Sequence, residues 1–334
     1  MAVRREPTLA DVAEVAGVSL TTVSRVLNNR GYLSQATKDR VARAVAQLNY
    51  RPNQVARALH GKSTNIVGVI VPTVALPFFG ELAEEIENAL AEHNYRMLVC
   101  NSMGRADRER EYLDLLVSHR VDGIISGAHN DDLKEYQTVR MPLVTIDRDL
   151  SPTIPNVRCA NEAAAREATR LLLDRGARRP ALLTSRTGRH NRREAGYRAV
   201  LEQAGIEPII FTVDFHTPDA ERARLIDTHL DAAADLIDAV FATDDLSAAA
   251  VLDWAERRGR QVPRDFKVIG FDGTSAVRRA LPGLATVRQP LADLARTAVE
   301  VLLTQIRNTA EGQEGEPVVS PIELPGALLP GTTT

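Results

Sequence analysis

Apolar residues near the start of the chain recur at the spacing of one face of an α-helix. They are Leu9, Val12, Ala13 and Ala16. Thr8 and Asp11 have the spacing of a capping box, in which each side chain bonds the other residue's backbone N–H. The pattern therefore predicts a helix that begins after Thr8, and Gly17 can adopt the positive φ that ends it.

A second helix is predicted directly after this glycine, because the Ser19 hydroxyl can cap its first turn. Val23, Val26 and Leu27 are expected to face the first helix. Residues that packing does not require share the opposite side: Leu20, Thr21, Ser24, Arg25 and Asn28. Arginine can form two hydrogen bonds with a guanine edge in the major groove, so this side predicts DNA recognition. A third helix, after Ser34, closes a small bundle.

From Ile66 onward, short apolar runs alternate with amphipathic stretches. Four runs, IVGVIV, RMLVC, DGIIS and PLVTI, predict buried strands, with helices near residues 79–93, 107–119 and 131–139. A second series, PALLT, PIIFTV, AVFAT and KVIGF, alternates with helices near 161–175, 192–205, 219–230 and 244–258. The expected fold is α/β, with two parallel sheets. Ligands of such sheets bind beyond the carboxyl ends of the strands, so we expect a cleft there.

Composition and charge support this division. The chain of 334 residues is 44% hydrophobic and 25% charged, as in ordinary multidomain globular proteins. Residues 1–62 carry 10 Lys and Arg against 4 acidic residues, a net charge of +6, whereas the remainder carries −9. A solvated basic surface would also explain that charge, so the charge alone favours nucleic acid only modestly. The polar face of the second helix is the stronger indication of DNA.

The cellular location is predicted from what the sequence lacks. No apolar run is as long as a membrane span, and MAVRREP is not followed by the apolar segment of a signal peptide. Cys100 and Cys159 are too few to cross-link a secreted chain of this length. We therefore expect a soluble cytoplasmic protein with reduced thiols and no membrane partner.

The segment TLADVAEVAGVSLTTVSRVLNN, followed by LNYRPNQVARAL, resembles the headpiece and hinge of the LacI/GalR family of transcriptional regulators. The resemblance implies a helix-turn-helix domain at residues 1–49, a hinge helix and linker at 50–62, and an effector-binding and dimerisation domain at 63–334. It also implies that this last domain has the two-lobed periplasmic-binding-protein fold. Its N-lobe is expected at about 63–159 and 290–316, its C-lobe at about 161–286 and 320–334, and its crossings near 159–161, 286–290 and 316–321.

The resemblance further implies how double-stranded DNA is bound. In the family, two subunits dock on a palindromic operator, and a leucine from each hinge helix enters the minor groove, a position that Leu59 occupies here. NQVARAL is too short to form a stable helix by itself, which agrees with folding on a partner. Pattern and resemblance together predict these DNA-binding residues: Thr8, Ser19, Leu20, Thr21, Thr22, Ser24, Arg25, Asn28, Asn53, Gln54, Ala56, Arg57 and Leu59.

Carboxylate, guanidinium and aromatic side chains follow the predicted strands. Together they can grip a polyhydroxylated ligand through bidentate hydrogen bonds and ring stacking. The resemblance adds effector contacts at Arg193, Asp244 and Asp272 and an aromatic ring at Phe215. The predicted effector residues are Phe78, Phe79, Asp147, Arg148, Arg193, Phe215, Asp244 and Asp272.

Structural alternatives remain open for several of these residues. Asp244 or Asp245 can cap the helix that follows, Asp272 can brace a turn, and Phe78 or Phe79 can belong to a lobe core. The sequence alone does not decide between these roles and ligand binding.

Other classes of protein explain less of the chain. HGKST ends like a phosphate-binding loop, but Ala56 stands where the earlier glycine is required and a strand follows, so ATP binding is excluded. No His or Cys spacing fits a metal site, no cofactor is implied, and no nucleophile with a base indicates an enzyme. A sugar-transport protein or a sugar enzyme would explain the body but not the head.

The segment VIGFDGTSAVRRALPGLATVRQP resembles regulators of sucrose, fructoside or ribose use. We therefore predict a repressor of carbohydrate-utilisation genes that is controlled by a sugar, with a purine or phosphosugar effector as the alternative. The chain after LARTAVEVLLTQI lacks the leucine heptads of a tetramer, so a homodimer is expected.

Overall fold

The computed structural model describes residues 7–27, 31–50, 63–127, 130, 133–313 and 320–334. Two compact units divide the chain, Met1–Thr64 and Asn65–Thr334. We call the first unit the headpiece and the second the body. Of the predicted hinge at 50–62, only Tyr50 is among the described residues.

The described residues of the headpiece form three helices, as predicted. They are α1 (Leu9–Ala16), α2 (Leu20–Leu27) and α3 (Gln35–Leu48). Thr8 and Asp11 form the capping box, and Gly17 ends α1 with a φ of 63°. The Ser19 hydroxyl accepts a backbone N–H of the first turn of α2 at 3.2 Å, and Ser34 caps α3. The short helices therefore begin where the capping residues predicted.

The three helices bury one apolar core. Val12, Val23 and Val41 are fully buried at its centre, one from each helix. Val26 packs against this core, but the expectation that Leu27 also faces α1 is wrong, because Leu27 is 37% exposed. The face of α2 that meets α1 is centred on Val23, and Leu27 lies outside it.

The N-lobe of the body is built on a six-stranded sheet. Its strands are β1 (Ile66–Val71), β2 (Arg96–Asn101), β3 (Gly123–Ser126), β4 (Leu143–Ile146), β5 (Asn156–Cys159) and β11 (Ile322–Leu324). Its helices are α4 (Pro77–Glu92), α5 (Ala106–Ser118) and α11 (Leu291–Ala310). The strands pair in parallel in the order β11-β5-β4-β3-β1-β2. Every residue of β3 and β4 is buried, as expected for a parallel sheet covered on both faces.

The C-lobe contains a second six-stranded sheet. Its strands are β6 (Pro180–Thr184), β7 (Ile209–Thr212), β8 (Ala239–Ala242), β9 (Lys267–Asp272), β10 (Ala285–Arg288) and β12 (Ala327–Leu329). Its helices are α6 (Asn161–Asp174), α7 (Arg192–Ala204), α8 (Asp219–Ala232), α9 (Asp245–Arg257) and α10 (Ser275–Ala280). The order is β12-β10-β9-β8-β6-β7, with only β12 antiparallel to its neighbour.

Within the described residues, the chain passes between the lobes at three places. Two lie where we expected them, at Ala160 and at residues 289–290. The third, expected near 316–321, is wrong, because β11 still pairs with β5 of the N-lobe and the crossing follows at 325–326. A Cβ on Gly326 would lie 3.0 Å from Val287 and 3.2 Å from Cys159, so this tight passage favours glycine. The last C-lobe segment therefore begins after residue 326 rather than at 320.

Other elements of the body also differ from the predicted pattern. A helix was expected near 131–139, but the structure has only a 3₁₀ turn there, Lys134–Gln137. This single turn is enough to bury the apolar side chains of Leu133 and Tyr136. Strand β5 was not predicted, because Asn156 and Arg158 interrupt its apolar pattern although both are buried.

Helix α11 shows why the N-lobe needs a segment from late in the chain. It buries Leu294, Ala298 and Leu302 in the same core as Val67 and Ile86 of the N-lobe. Its 20 residues carry polar side chains on the remaining face. In the part of the chain that the structure describes, no helix is long and apolar enough to cross a membrane.

Candidate functional site

The outer side of α2 presents polar groups to solvent, as the sequence predicted. Thr21 and Arg25 are exposed, Leu20 is 51% exposed, and Ser24 is half-buried. The Arg25 guanidinium lies against Gly31, where an added Cβ would come within 2.4 Å of Nη2. The backbone at Gly31 thus leaves room for the arginine at the end of α2.

Three other predicted DNA-binding residues form hydrogen bonds at the N-termini of α1 and α2. Thr8 accepts the Asp11 N–H at 3.4 Å, and the hydroxyls of Ser19 and Thr22 lie 2.9 Å apart at the start of α2. The remaining predicted residues lie outside the described part of the chain: Asn28, Asn53, Gln54, Ala56, Arg57 and Leu59.

A cleft of about 680 Å³ lies between the two lobes of the body, with residues that follow strands of both sheets in its walls. The eight predicted effector residues all line it: Phe78, Phe79, Asp147, Arg148, Arg193, Phe215, Asp244 and Asp272. Its polar lining also includes residues that the sequence did not indicate, among them Asn161, Thr184, Asn191, Thr243 and Thr274. The tertiary structure therefore brings together side chains as far apart in the sequence as Phe78 and Thr274.

Arg193, at the start of α7, is held from several sides. Its Nε donates to Asn161 Oδ1 at 2.8 Å, and its Nη1 donates to the Thr243 carbonyl at 2.5 Å. The guanidinium carbon lies 3.8 Å from the centre of the Phe271 ring, and Nη1 lies 3.7 Å from Asp272 Oδ1. A guanidinium carries five N–H donors, so donors beyond these two bonds remain for a ligand.

Asp272 ends β9 beside this arginine. Its backbone has a φ of 113°, a strained conformation for a residue other than glycine and one that recurs at ligand sites. Its Oδ1 accepts a hydrogen bond from Gln289 Nε2 at 2.8 Å. Burial raises the pKa of the Asp272 carboxyl well above its usual range, and the charge of Arg193 opposes that shift. Asp272 thus braces the turn and also faces the cleft.

Asp244 and Asp245, for which the sequence left helix capping and ligand binding open, have different roles in the structure. Asp244 is the N-cap of α9, where its two carboxylate oxygens accept from the Ser247 N–H and hydroxyl, each at 2.7 Å. Asp245 is 2% exposed and accepts from Thr286 Oγ1 at 2.6 Å and from the Gly273 N–H at 2.8 Å. Burial raises the pKa of Asp245 to about 6. The capping alternative therefore applies to Asp244, and Asp245 holds the turn after β9.

Three phenylalanines form an aromatic wall. The rings of Phe78 and Phe79 are 5.0 Å apart and nearly perpendicular, and those of Phe79 and Phe215 are 6.3 Å apart in a similar arrangement. Phe79 is only 5% exposed and belongs to the N-lobe core, so the core alternative holds for it. Phe78 and Phe215 are half-buried and contributed by different lobes.

A short chain of hydrogen bonds joins Arg193 to Asp147 in the N-lobe wall of the cleft. Asp147 follows β4 with a φ of 67°, and its Oδ1 accepts from Asn161 Nδ2 at 3.1 Å. The same asparagine accepts from Arg193, so Asn161 joins groups on both lobes. Arg148 Nε lies 4.0 Å from the Asp147 carboxylate. Asn161 carried no motif in the sequence; its position directly after the first crossing was the one available signal.

Two further contacts join the lobes near the cleft. The Ser275 N–H, at the start of α10 in the C-lobe, donates to Glu81 Oε2 on α4 of the N-lobe at 2.7 Å. His216, which follows β7, lies so close to Gly104, which follows β2, that an added Cβ there would be 2.1 Å from the imidazole. These contacts place the lobes against each other around the cleft.

The body offers little for metal or nucleophilic chemistry. No group of three His, Cys, Asp or Glu residues in the described ranges can hold a metal ion. Burial raises the pKa of Cys100 to about 11 and that of Cys159 to about 12, so both thiols are protonated and unreactive at neutral pH.

Two family models match the chain. Residues 8–53 match the lacI family of bacterial regulatory proteins, and residues 169–334 match a periplasmic binding protein-like domain. The sucrose operon repressor of Pediococcus pentosaceus is 40% identical over 331 residues, which cover 98% of this chain and 99% of that protein. The ribose operon repressor of Halalkalibacterium halodurans is 36% identical, with 90% of each chain covered.

Solved structures agree over nearly the whole length. The lac repressor dimer bound to operator and the anti-inducer ONPF has a TM-score of 0.83 at 26% identity, covering 98% of this chain and 99% of that one. The complex of the transcriptional regulator CelR with cellobiose has a TM-score of 0.71 at 29% identity, covering 98% and 100%. The same proteins thus match both the headpiece and the body. This chain is therefore a DNA-binding transcriptional repressor, not an enzyme, and belongs to the lacI family of bacterial regulatory proteins.

Proposed function

We propose that this protein represses carbohydrate-utilisation genes in the cytoplasm and that a sugar bound between its lobes controls it. One observation carries the proposal: the cleft brings the half-buried Arg193 and Asp272, 3.7 Å apart, together with the half-buried rings of Phe78 and Phe215. Charged groups that form bidentate hydrogen bonds suit vicinal hydroxyls, and an aromatic ring suits the C–H face of a sugar.

The size of the cleft and the names of the relatives support a sugar. A volume of about 680 Å³ falls within the range of small-molecule sites, roughly 300–1,000 Å³. Relatives are named sucrose and ribose operon repressors, and one similar structure contains cellobiose. We assign the eight predicted residues, together with Asn161, to effector binding.

We propose that the headpiece reads a palindromic operator as part of a homodimer. Helix α2 would enter the major groove with Leu20, Thr21, Ser24 and Arg25 toward the bases, and the hinge that contains Leu59 would contact the minor groove. Thr8, Ser19, Thr22, Asn28, Asn53, Gln54, Ala56 and Arg57 are assigned to the same DNA interface.

Exposed apolar groups on the sheet edge support the homodimer. Strand β2 is an outer strand of its sheet and exposes Leu98 by 42% and Val99 by 39%. An exposed apolar edge strand is a ready site for pairing with another chain. A second copy of the chain would cover this edge and bring two headpieces to the two halves of an operator.

A phosphosugar is the second candidate effector. Arg186 and Arg192 line the cleft. The Arg192 side chain is exposed, and its Nη1 lies 4.0 Å from Glu162 Oε2. Guanidinium groups in this position could bind a phosphate. A purine would instead stack on Phe78 and Phe215 without using these arginines.

A ligand screen separates the candidates. The purified chain is heated with sucrose, D-fructose, D-ribose, glucose 6-phosphate or hypoxanthine, and a ligand at 100 times its Kd should stabilise by about 2.7 kcal/mol. Asp272→Asn should abolish the response to the sugar that stabilises the native chain, because the amide replaces one acceptor with a donor. Stabilisation by hypoxanthine alone would contradict the sugar proposal.

Operator binding is tested separately. Selection from random duplex DNA should enrich a palindrome, and the sugar that stabilises the native chain should change the affinity for that duplex. By thermodynamic reciprocity, operator DNA must change the affinity for the sugar by the same factor. Selected sequences without two-fold symmetry would contradict the homodimeric reading of DNA.

A further inference from the structure

The hydroxyl of Thr274 is buried in the wall of the cleft without a hydrogen-bond partner among the described residues. Thr274 is 1% exposed, its Oγ1 is buried and unpaired, and the residue lines the cleft. Most buried polar groups in proteins are paired, so an unpaired one beside a binding cleft calls for an explanation.

The position of Thr274 makes the missing bond more informative. Thr274 is the N-cap of α10, where a threonine hydroxyl ordinarily accepts an N–H of the first helical turn. Thr8 and Ser34 make that bond at their helices, but Thr274 makes no side-chain capping bond. The next N–H, of Ser275, donates to Glu81 of the N-lobe. The Thr274 hydroxyl therefore does not cap α10.

The turn that carries this hydroxyl is fixed on both sides. Gly273 has a φ of 59°, and a Cβ there would lie 2.5 Å from the Cα of Arg288. Asp245 accepts the Gly273 N–H at 2.8 Å, and the Gln289 N–H donates to the Asp272 carbonyl at 3.0 Å. A turn held in this way keeps the backbone of Thr274 in a fixed position at the wall of the cleft.

We propose that Thr274 Oγ1 is a direct contact for the effector and pairs with a sugar hydroxyl next to the one that Asp272 holds. This inference rests on the proposed sugar effector. A threonine hydroxyl both donates and accepts, as a sugar hydroxyl does, so the pair can form in either direction. Two adjacent residues on one fixed turn would then read two neighbouring hydroxyls, which makes Thr274 a determinant of sugar specificity.

Thr274→Val tests the contact because valine keeps the shape and removes only the hydroxyl. The native chain, Thr274→Val and the control Thr274→Ser are titrated calorimetrically with sucrose, D-fructose and D-ribose, and melting temperature and operator affinity are measured for each. We expect Thr274→Val to melt no lower than the native chain, since an unpaired buried hydroxyl is removed, and to bind operator normally. Its sugar affinity should fall by about threefold to tenfold, the value of one neutral hydrogen bond, while Thr274→Ser stays close to native.

Each result decides between the two proposals. A Thr274→Val chain that binds the sugar as tightly as the native chain would overturn the Thr274 contact and leave the sugar effector intact. A clear drop in melting temperature for Thr274→Val would also overturn it, because the hydroxyl would then have a partner inside the protein. Failure of all three sugars to bind the native chain, with operator binding retained, would overturn the sugar effector and the contact with it.

Discussion

The buried carboxyl of Asp245 should make the C-lobe less stable as the pH rises from acid to neutral. Asp245 lies 2% exposed beneath the turn after β9 and accepts hydrogen bonds from Thr286 and Gly273. These two bonds favour the ionised form, but burial is the larger effect and raises the pKa to about 6. The carboxyl therefore holds its proton more tightly in the folded chain than in the unfolded one.

The size and sign of the effect follow from this difference. The pKa rises from 3.8 to about 6, which corresponds to about 3 kcal/mol of unfolding free energy at about 1.36 kcal/mol per pH unit. Below the unfolded pKa, Asp245 is protonated in both the folded and the unfolded chain, so its full contribution to the unfolding free energy is present there. It is lost as the pH rises through the folded pKa, because the folded chain must then ionise a buried group.

Asp245→Asn isolates this contribution, since the amide does not ionise. We expect the unfolding free energy of the native chain, minus that of the variant, to fall by about 2.4 kcal/mol between pH 4 and pH 7, which is most of the full difference. A constant offset from the altered hydrogen bonds does not affect this slope. Asp272, whose pKa burial also raises, is present in both chains, so its effect largely cancels.

The measurement is urea unfolding at fixed protein concentration in small pH steps, followed by tryptophan fluorescence. Trp254 is the single tryptophan of the chain and is fully buried in the C-lobe core, so it reports on the lobe that contains Asp245. Asp253→Asn on the same helix is the matched control, because the Asp253 side chain is 67% exposed. Curves for the native chain and Asp245→Asn that stay parallel across the whole pH range would refute the reasoning.

Three further predictions use other parts of the chain. Arg25→Ala should weaken binding to the selected operator by about 1–3 kcal/mol and binding to random duplex DNA much less, and equal losses on both would identify a phosphate contact. Glu81→Ala removes the acceptor of the Ser275 N–H, so calorimetry should show weaker sugar binding and small-angle scattering a larger radius of gyration, whereas the exposed Glu84→Ala should change neither. Arg158→Met should lower the unfolding free energy by about 1.5–3 kcal/mol, measured by circular dichroism, because this 5% exposed side chain pairs with two carboxylates; an unchanged value would show that the pairs contribute nothing.

Local patterns in the sequence predicted much of the architecture. The first residues of α1, α2 and α3 follow from Thr8, Ser19 and Ser34, because a capping side chain needs only the N–H groups of its own first turn. Buried parallel strands such as β3 and β8 consist of apolar residues only or nearly so, which distinguishes them from the helices beside them. The rule that ligands bind beyond the carboxyl ends of such strands, together with the family resemblance, selected eight candidate effector residues. All eight line the cleft.

What the sequence alone determined is thus whatever depends on neighbours within a few residues: helix ends, strand runs and the polar face of α2. Only the tertiary structure decided that Asp244 caps α9 while Asp245 is buried, that the chain crosses after β11, and that Asn161 meets Arg193. Adjacent aspartates look alike in a sequence, and their roles separate only when Thr286, 41 positions away, reaches one of them. Burial and hydrogen bonding between distant residues depend on strand register and lobe packing, which no local pattern encodes.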